Sequence, residues 1–166
     1  MIIESLSKNY NVRKLNEEDI PEIYKLCSKN ELYYIYCPPF VTEDSIREDM
    51  SVLPPGKDDK DKYYLGFYAD RKLIAILDLI SGFPDEDTAY IGFFIMDTDK
   101  QKQGIGTHII TCVSEALKNE NYKGIELAWV HGNPQAEAFW HKNGFVETGN
   151  ICDMGDYSVV VARKEL

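Results

Sequence analysis

The sequence contains no run approaching the roughly 20 consecutive apolar residues of a membrane-spanning helix, so a transmembrane protein is not expected. Its first residues, MIIESLSKNYNVRKL, lack both the basic start and the apolar block of a signal peptide, and a cytoplasmic location is the expectation. Cysteine is sparse. Cys27, Cys37, Cys112 and Cys152 are spread along the chain, and no two have the C-x-x-C spacing of a zinc or redox site. Such residues are expected to act as small buried hydrophobes in a reducing compartment. His108, His131 and His141 form no H-x-x-x-H or H-E-x-x-H pattern, so their spacing supports no metal site. Basic residues are also in deficit, 18 against 28 acidic ones, for a net charge of −10. A nucleic-acid binder needs the opposite sign, at least locally, and no basic stripe is present. Solubility is the simpler account of this acidity, with steering of a cationic amine substrate as the functional one.

What is present is the pattern of a single domain, residues 1–166, long enough to bury a core. Residues 10–15 alternate as a strand. Asn16 then stands as an N-cap before an acidic first turn, and the apolar spacing of Ile20, Ile23, Tyr24, Leu26 and Cys27 predicts a helix over 16–29. A dense aromatic stretch, ELYYIYCPPF, connects it to a second helix opened by Thr42 and ended at Pro54-Pro55-Gly56; KDDKDK follows as a solvated loop. YYLGFY, KLIAILDLI and TAYIGFFIM predict three strands in an antiparallel meander. After the segment DKQKQGIGTHII, residues Ile105 to Leu117 place their apolar side chains on one helical face. IELAWV is a further strand, Pro134 opens a short helix that closes at Asn143-Gly144, and FVETGNI and YSVVVAR complete the sheet.

The glycine segment poses the functional question. It lacks the G-x-x-x-x-G-K-[ST] of a P-loop. As a dinucleotide fingerprint it has Glu126 about 20 residues on, yet Ile109 stands where a small residue is needed, and the meander argues against repeated βαβ units. A plain left-handed turn is the simplest reading. Gly104 and Gly106 nevertheless allow a ligand close to the backbone, the loop opens a helix N-terminus, and Lys100 and Lys102 add positive charge. These features favour an anion, and phosphate above others.

Gln101-Lys-Gln-Gly104-Ile-Gly106 resembles the [QR]-x-x-G-x-[GA] pyrophosphate loop of the GNAT acyl-CoA N-acetyltransferases. Further on, the stretch from Asn133 to Phe145, NPQAEAFWHKNGF, is similar to a second motif of that family, N-x-x-A-x-x-[LF]-Y-x-x-x-G-F. The order of strands and helices agrees as well, so the resemblance covers nearly the whole chain. It implies an α/β (α+β) fold of GNAT type: a mixed, mostly antiparallel sheet of about seven strands, flanked by helices, with splayed central strands.

The resemblance further implies acetyl-CoA as cofactor, its pyrophosphate held by the N–H groups of Gln101, Lys102, Gln103, Gly104, Ile105, Gly106 and Thr107. The backbone of Phe94, Ile95 and Met96 would pair with the pantetheine arm, the Met96 N–H serving as donor to the thioester oxygen. Asn133 would hydrogen-bond that arm, with an N-cap before Pro134 as an equally good account. Lys142 would reach the nucleotide phosphates, unless it is an ordinary exposed helix lysine. The implied reaction is direct attack on the acetyl thioester by a primary amine in a ternary complex; the amine must first be deprotonated, and the departing thiolate stabilised or protonated.

Two positions depart from the family. Trp140 stands where a Tyr general acid is common, and an indole N–H is no acid at neutral pH; the expectation is packing against cofactor or core. Tyr90 stands where some members carry a glutamate base. Proton removal through water is therefore assigned to Tyr90, His131 or both, with Asp78 as a further candidate. Tyr33, Tyr34 and Tyr36 are the expected acceptor wall, holding a cationic amine over aromatic faces or an apolar moiety, unless they form core under a loop. The acceptor is left as a small-molecule or protein amine. A non-catalytic acyl-CoA-binding or sensing module on the same fold is the alternative, and NAD dependence a weaker one. Homodimers are common in the family, and the sequence leaves the oligomeric state open.

Overall fold

The computed structural model describes residues 3–166. In chain order the elements are β1 (Asn11–Lys14), α1 (Ile20–Cys27), α2 (Glu31–Tyr36), α3 (Glu43–Ser51), β2 (Lys62–Ala69), β3 (Lys72–Ser81) and β4 (Thr88–Met96). They continue with α4 (Ile105–Asn119), β5 (Gly124–Val130), α5 (Pro134–Lys142), β6 (Val146–Asp153) and β7 (Ser158–Glu165). One seven-stranded sheet runs in the order β1-β2-β3-β4-β5-β7-β6. Every neighbouring pair is antiparallel except β4 and β5, which the α4 crossover makes parallel. The expected fold class is the observed one. No helix among the described residues is long and apolar enough to cross a membrane.

Helices cover both faces. Ile109, Val113 and Leu117 of α4 are fully buried against Leu77 and Leu79 of β3, Ile91 of β4 and Leu127 of β5. At about 1.5–3 kcal/mol for each large apolar side chain, this stripe holds α4 on the sheet. On the other face Ile20, Ile23, Leu26 and Ile46 from α1 and α3 pack on Ile76 and Ile95. A central strand covered on both sides reads as a continuous apolar run, which is why KLIAILDLI lacks clean alternation.

Several local expectations are refined. The helix expected over 16–29 begins with a 3₁₀ turn at Glu17–Asp19, held by reciprocal bonds between Asn16 and Asp19, before α1 starts. The aromatic connection is itself helical, as α2, until Pro38 and Pro39 end it. Thr42 does cap a helix, but the third one. The two-residue turn between β2 and β3 has positive φ at both Asp70 (48°) and Arg71 (64°), the geometry of a primed hairpin turn. α5 ends in a Schellman motif: the Phe145 N–H bonds the Trp140 carbonyl and the Gly144 N–H that of His141. Among the cysteines Cys27 and Cys112 are buried as expected. Cys37 is half-buried and Cys152 exposed, because neither lies on a core-facing position. Lys62, the last residue of the expected solvated run, is also buried.

Candidate active site

β4 and β5 pair only from Thr88–Ile91 with Gly124–Leu127, although β4 continues to Met96 and β5 to Val130. The strands part at a bulge. Gly92 is the extra residue as the β3–β4 register shifts between Asp78 and Leu79, and a Cβ there would lie 2.7 Å from Asp78 Oδ2. A bulge bends its strand, and here it turns the end of β4 away from β5.

The Asp97 N–H bonds the Ile74 carbonyl at 2.9 Å, which sets the alternation along β4. Phe93 and Ile95 therefore bond β3, while the peptide groups of Phe94 and Met96 turn into the gap. The Met96 carbonyl already accepts from Asn30 Nδ2 (3.0 Å) and Gln101 Nε2 (3.3 Å). On the opposite wall the His131 N–H bonds Ser158, so the peptide groups of Ala128 and Val130 face the gap.

The glycine loop lies at the mouth of this gap. Gly104 has φ +79° and is the N-cap of α4 with no side-chain cap; the first helical bond is His108 N–H to its carbonyl. The N–H groups of Ile105, Gly106 and Thr107 thus open the helix without intrahelical partners. A Cβ on Gly104 would meet nothing within 4 Å, so space stands in front of the loop. A Cβ on Gly106 would lie 2.7 Å from Met96 Sδ, so that glycine lets α4 approach β4. The cradle is braced from behind. Gln101 Nε2 donates to Asn30 Oδ1 (2.8 Å), Lys29 pairs with Asp97 and Asp99 at 3.2 Å each, and Gln103 Nε2 bonds the Asp99 carbonyl. The side chains of Gln101 and Gln103 hold the loop's shape. Lys29 and Asn30 were not anticipated from sequence, because their partners lie some 70 positions downstream.

Asn133 is buried and its Oδ1 accepts from the Gln135 and Ala136 N–H groups, so it caps α5. Any ligand contact from it must come through Nδ2. Trp140 is only 7% exposed, packed with Phe94, Phe139 and Phe145. Of the two expectations for it, core packing is the one observed. Lys142 is an exposed residue at the end of α5.

Tyr33 and Tyr34 are half-buried, Tyr33 edge-on to Phe93 at 5.6 Å and Tyr34 against Phe40 at 5.2 Å. They pack on the α1–α3 core as well as lining its rim, and burial raises both phenols above their ordinary range. Tyr36 is half-buried beyond them. The turn between β6 and β7 closes over this end: Tyr157 hydrogen-bonds Cys37, which helps push its phenol up to about 12.

Tyr90 and Glu126 are register partners, one residue before the strands part. Ile91 and Leu127 point into the α4 core, so Tyr90 and Glu126 project to the α1–α3 face. Burial, reinforced by Glu126, raises the Tyr90 phenol, which makes it a worse base than a free tyrosine. Burial likewise raises Glu126, against the opposing charge of Arg163 at 3.9 Å. Asp78 forms a buried pair with Lys62 at 2.9 Å; burial lifts its carboxyl to about 6, opposed by Lys62, and its Oδ1 has no hydrogen-bond partner among the described residues.

His131 is not with this group. It is exposed, five residues past Glu126 or about 16 Å at 3.3 Å per residue, and it borders a cavity with Trp129 and Val160 on the α5 side. The alternation of β5 sets His131 on the opposite face of the sheet from Tyr90, so the structure does not bring the two side chains together. The carboxylate that does stand beside Tyr90 is Glu126, which the sequence offered only in a dinucleotide context.

The family model for the acetyltransferase (GNAT) family matches residues 29–145. A search of curated protein sequences finds no match. Solved structures share the fold at low identity. An acetyltransferase from Thermus thermophilus superposes with TM-score 0.72 at 16% identity, over 95% of this chain and 97% of that one. The PaiA N-acetyltransferase from Thermoplasma acidophilum, in complex with coenzyme A, gives 0.69 at 19%, over 95% and 99%. AAC(6')-Ib, in complex with ribostamycin and coenzyme A, gives 0.72 at 14%, over 95% and 94%. With the family model spanning the loop, the splayed strands and the α5 motif, the chain belongs to the GNAT acetyltransferase family.

Proposed function

We propose that this protein is an N-acetyltransferase that moves an acetyl group from acetyl-CoA to a primary amine by direct attack in a ternary complex. The observation that carries the reading is the continuity of the β4–β5 gap with the uncapped N-terminus of α4. The donor fits: open space before Gly104, outward N–H groups over 105–107 and the amides of Phe94 and Met96 form one polar track. To the cofactor's phosphates and arm we assign the side chains of Lys102, Lys142 and, through Nδ2, Asn133. Two related structures were solved with coenzyme A.

Acetyl-CoA supplies an activated carbonyl. The chain supplies an N–H from Met96 or Phe94 toward its oxygen, and the Phe94 amide lies nearer to Glu126. Glu126 takes the proton from the incoming ammonium through water; a carboxylate raised by burial is better matched to that task than an exposed one. Tyr90, kept protonated, acts as a hydrogen-bond donor beside it. The acceptor lies on the α1–α3 face, against Tyr33, Tyr34, Tyr36 and the Tyr157 turn. Asp49, whose charge acts on Tyr33, Tyr34 and Asp78, makes this face suited to a cationic amine. The unpaired cysteines accord with a cytoplasmic location.

The test is thiol release from acetyl-CoA across a panel of polyamines, small drug-like amines, peptide N-termini and lysine peptides. Amine-dependent release is expected. Coenzyme A binding with no turnover on any amine class would replace this reading with the binding-module one, which the indole at position 140 favours.

A further inference from the structure

The cavity that His131 borders, about 210 Å³ between α5 and β6, has a second cluster on its rim. Glu137 and His141 stand one helical turn apart on α5, and the Schellman turn carries the chain back so that Glu147 of β6 faces them. One donor atom from each of these three side chains lies within 4.8 Å of the other two. His141 Nε2 and Glu147 Oε1 are 3.5 Å apart. A tetrahedral ion with bonds of about 2.0–2.1 Å spaces its donors about 3.4 Å apart, so this pair already stands at ligand spacing.

Other features of the site bear on the same reading. The His141 ring stands edge-on to Trp129 (5.4 Å, 89°), which holds its plane on an otherwise exposed helix face. Two carboxylates and one imidazole meet here, a mixed nitrogen–oxygen donor set. His131 brings a second imidazole to the cavity that Glu137 and Glu147 also line.

We propose that Glu137, His141 and Glu147 bind a divalent transition-metal ion of the zinc class, pinning α5 to the edge strand β6. Imidazole among the donors favours zinc, cobalt or nickel over magnesium or calcium, which take oxygen alone. The site lies on the α5 side of the sheet, away from Glu126, and its role is structural: α5 carries Asn133 at its start, so fixing its far end steadies that position. These three residues leave no H-x-x-x-H signal along the chain, because Glu147 reaches the helix only across the turn.

Isothermal titration with Zn²⁺ and Mg²⁺, visible absorption with Co²⁺ and thermal melts test it on the full chain. One equivalent of Zn²⁺ is expected to bind and raise the melting temperature, Co²⁺ to give d–d bands of a nitrogen–oxygen site, and Mg²⁺ to do neither. His141→Ala and Glu147→Gln, each checked for native circular dichroism, should weaken Zn²⁺ at least tenfold. Absence of stoichiometric Zn²⁺ binding, or unchanged binding in folded His141→Ala, overturns the proposal. These readouts are independent of acetyl transfer.

Discussion

Replacing Lys62 by Met tests the electrostatics beneath the active-site bulge. Lys62 and Asp78 are each 6% exposed; the ammonium bonds Asp78 Oδ2 at 2.9 Å and the Val52 carbonyl at 2.8 Å. Met keeps the volume and removes the charge, leaving both Asp78 oxygens buried without partners. Breaking a buried pair from one side costs about 3–5 kcal/mol. In a domain of this size 1 kcal/mol moves the melting temperature by about 2–4 °C, so a fall of about 6–20 °C is expected.

The pH dependence has a definite sign. The Asp78 carboxyl is raised from 3.8 to about 6 in the folded protein. A raised carboxyl holds its proton more tightly when folded, so its contribution is present below the unfolded value and is lost as pH rises through the folded one. At 1.36 kcal/mol per unit, that rise amounts to about 3 kcal/mol. The penalty of Lys62→Met should therefore be full near pH 8 and shrink near pH 5, where the carboxyl no longer needs a cation. Urea unfolding at both pH values measures it. A variant within 1 kcal/mol of wild type near pH 8, or an equal penalty at both, refutes the reasoning.

Three further outcomes are expected. Gly104→Ala meets no atom but must hold φ +79°, at a cost of about 1–2 kcal/mol, and coenzyme A affinity measured by calorimetry should fall with it. Glu126→Gln should lower kcat by about 10²–10⁴ and abolish the acidic limb of its pH profile, which marks the raised carboxylate; coenzyme A affinity should be unchanged. Asn133→Ser keeps a capping oxygen and loses Nδ2, so the melting temperature should hold while coenzyme A binding weakens; Asn133→Ala should lose about 1 kcal/mol of stability as well.

The strand order, the α4 stripe, the Thr42 cap and the Asn143-Gly144 stop were legible because each has a local signature: a period, a capping side chain, a glycine at positive φ. The glycine loop belongs to this class, since left-handed backbone at Gly104 and close approach at Gly106 are properties of one residue and its neighbours. What sequence alone could not supply were pairings across the fold. Asn30 with Gln101, Lys62 with Asp78, and Glu137 and His141 with Glu147 have no periodic or spacing signal. Tyr90 could be placed on a strand, but its partnership with Glu126 required the parallel register of β4 with β5.

By itself, then, the chain determined its elements, its family and the glycine loop that opens α4, because short-range backbone preferences and side-chain periodicity are written residue by residue. Tertiary structure alone decided that Glu126 rather than His131 stands beside Tyr90, that Trp140 belongs to the core, and that a run of charges hides a buried lysine. Burial and neighbouring charge set a group's chemistry, and both exist only once distant segments have packed together.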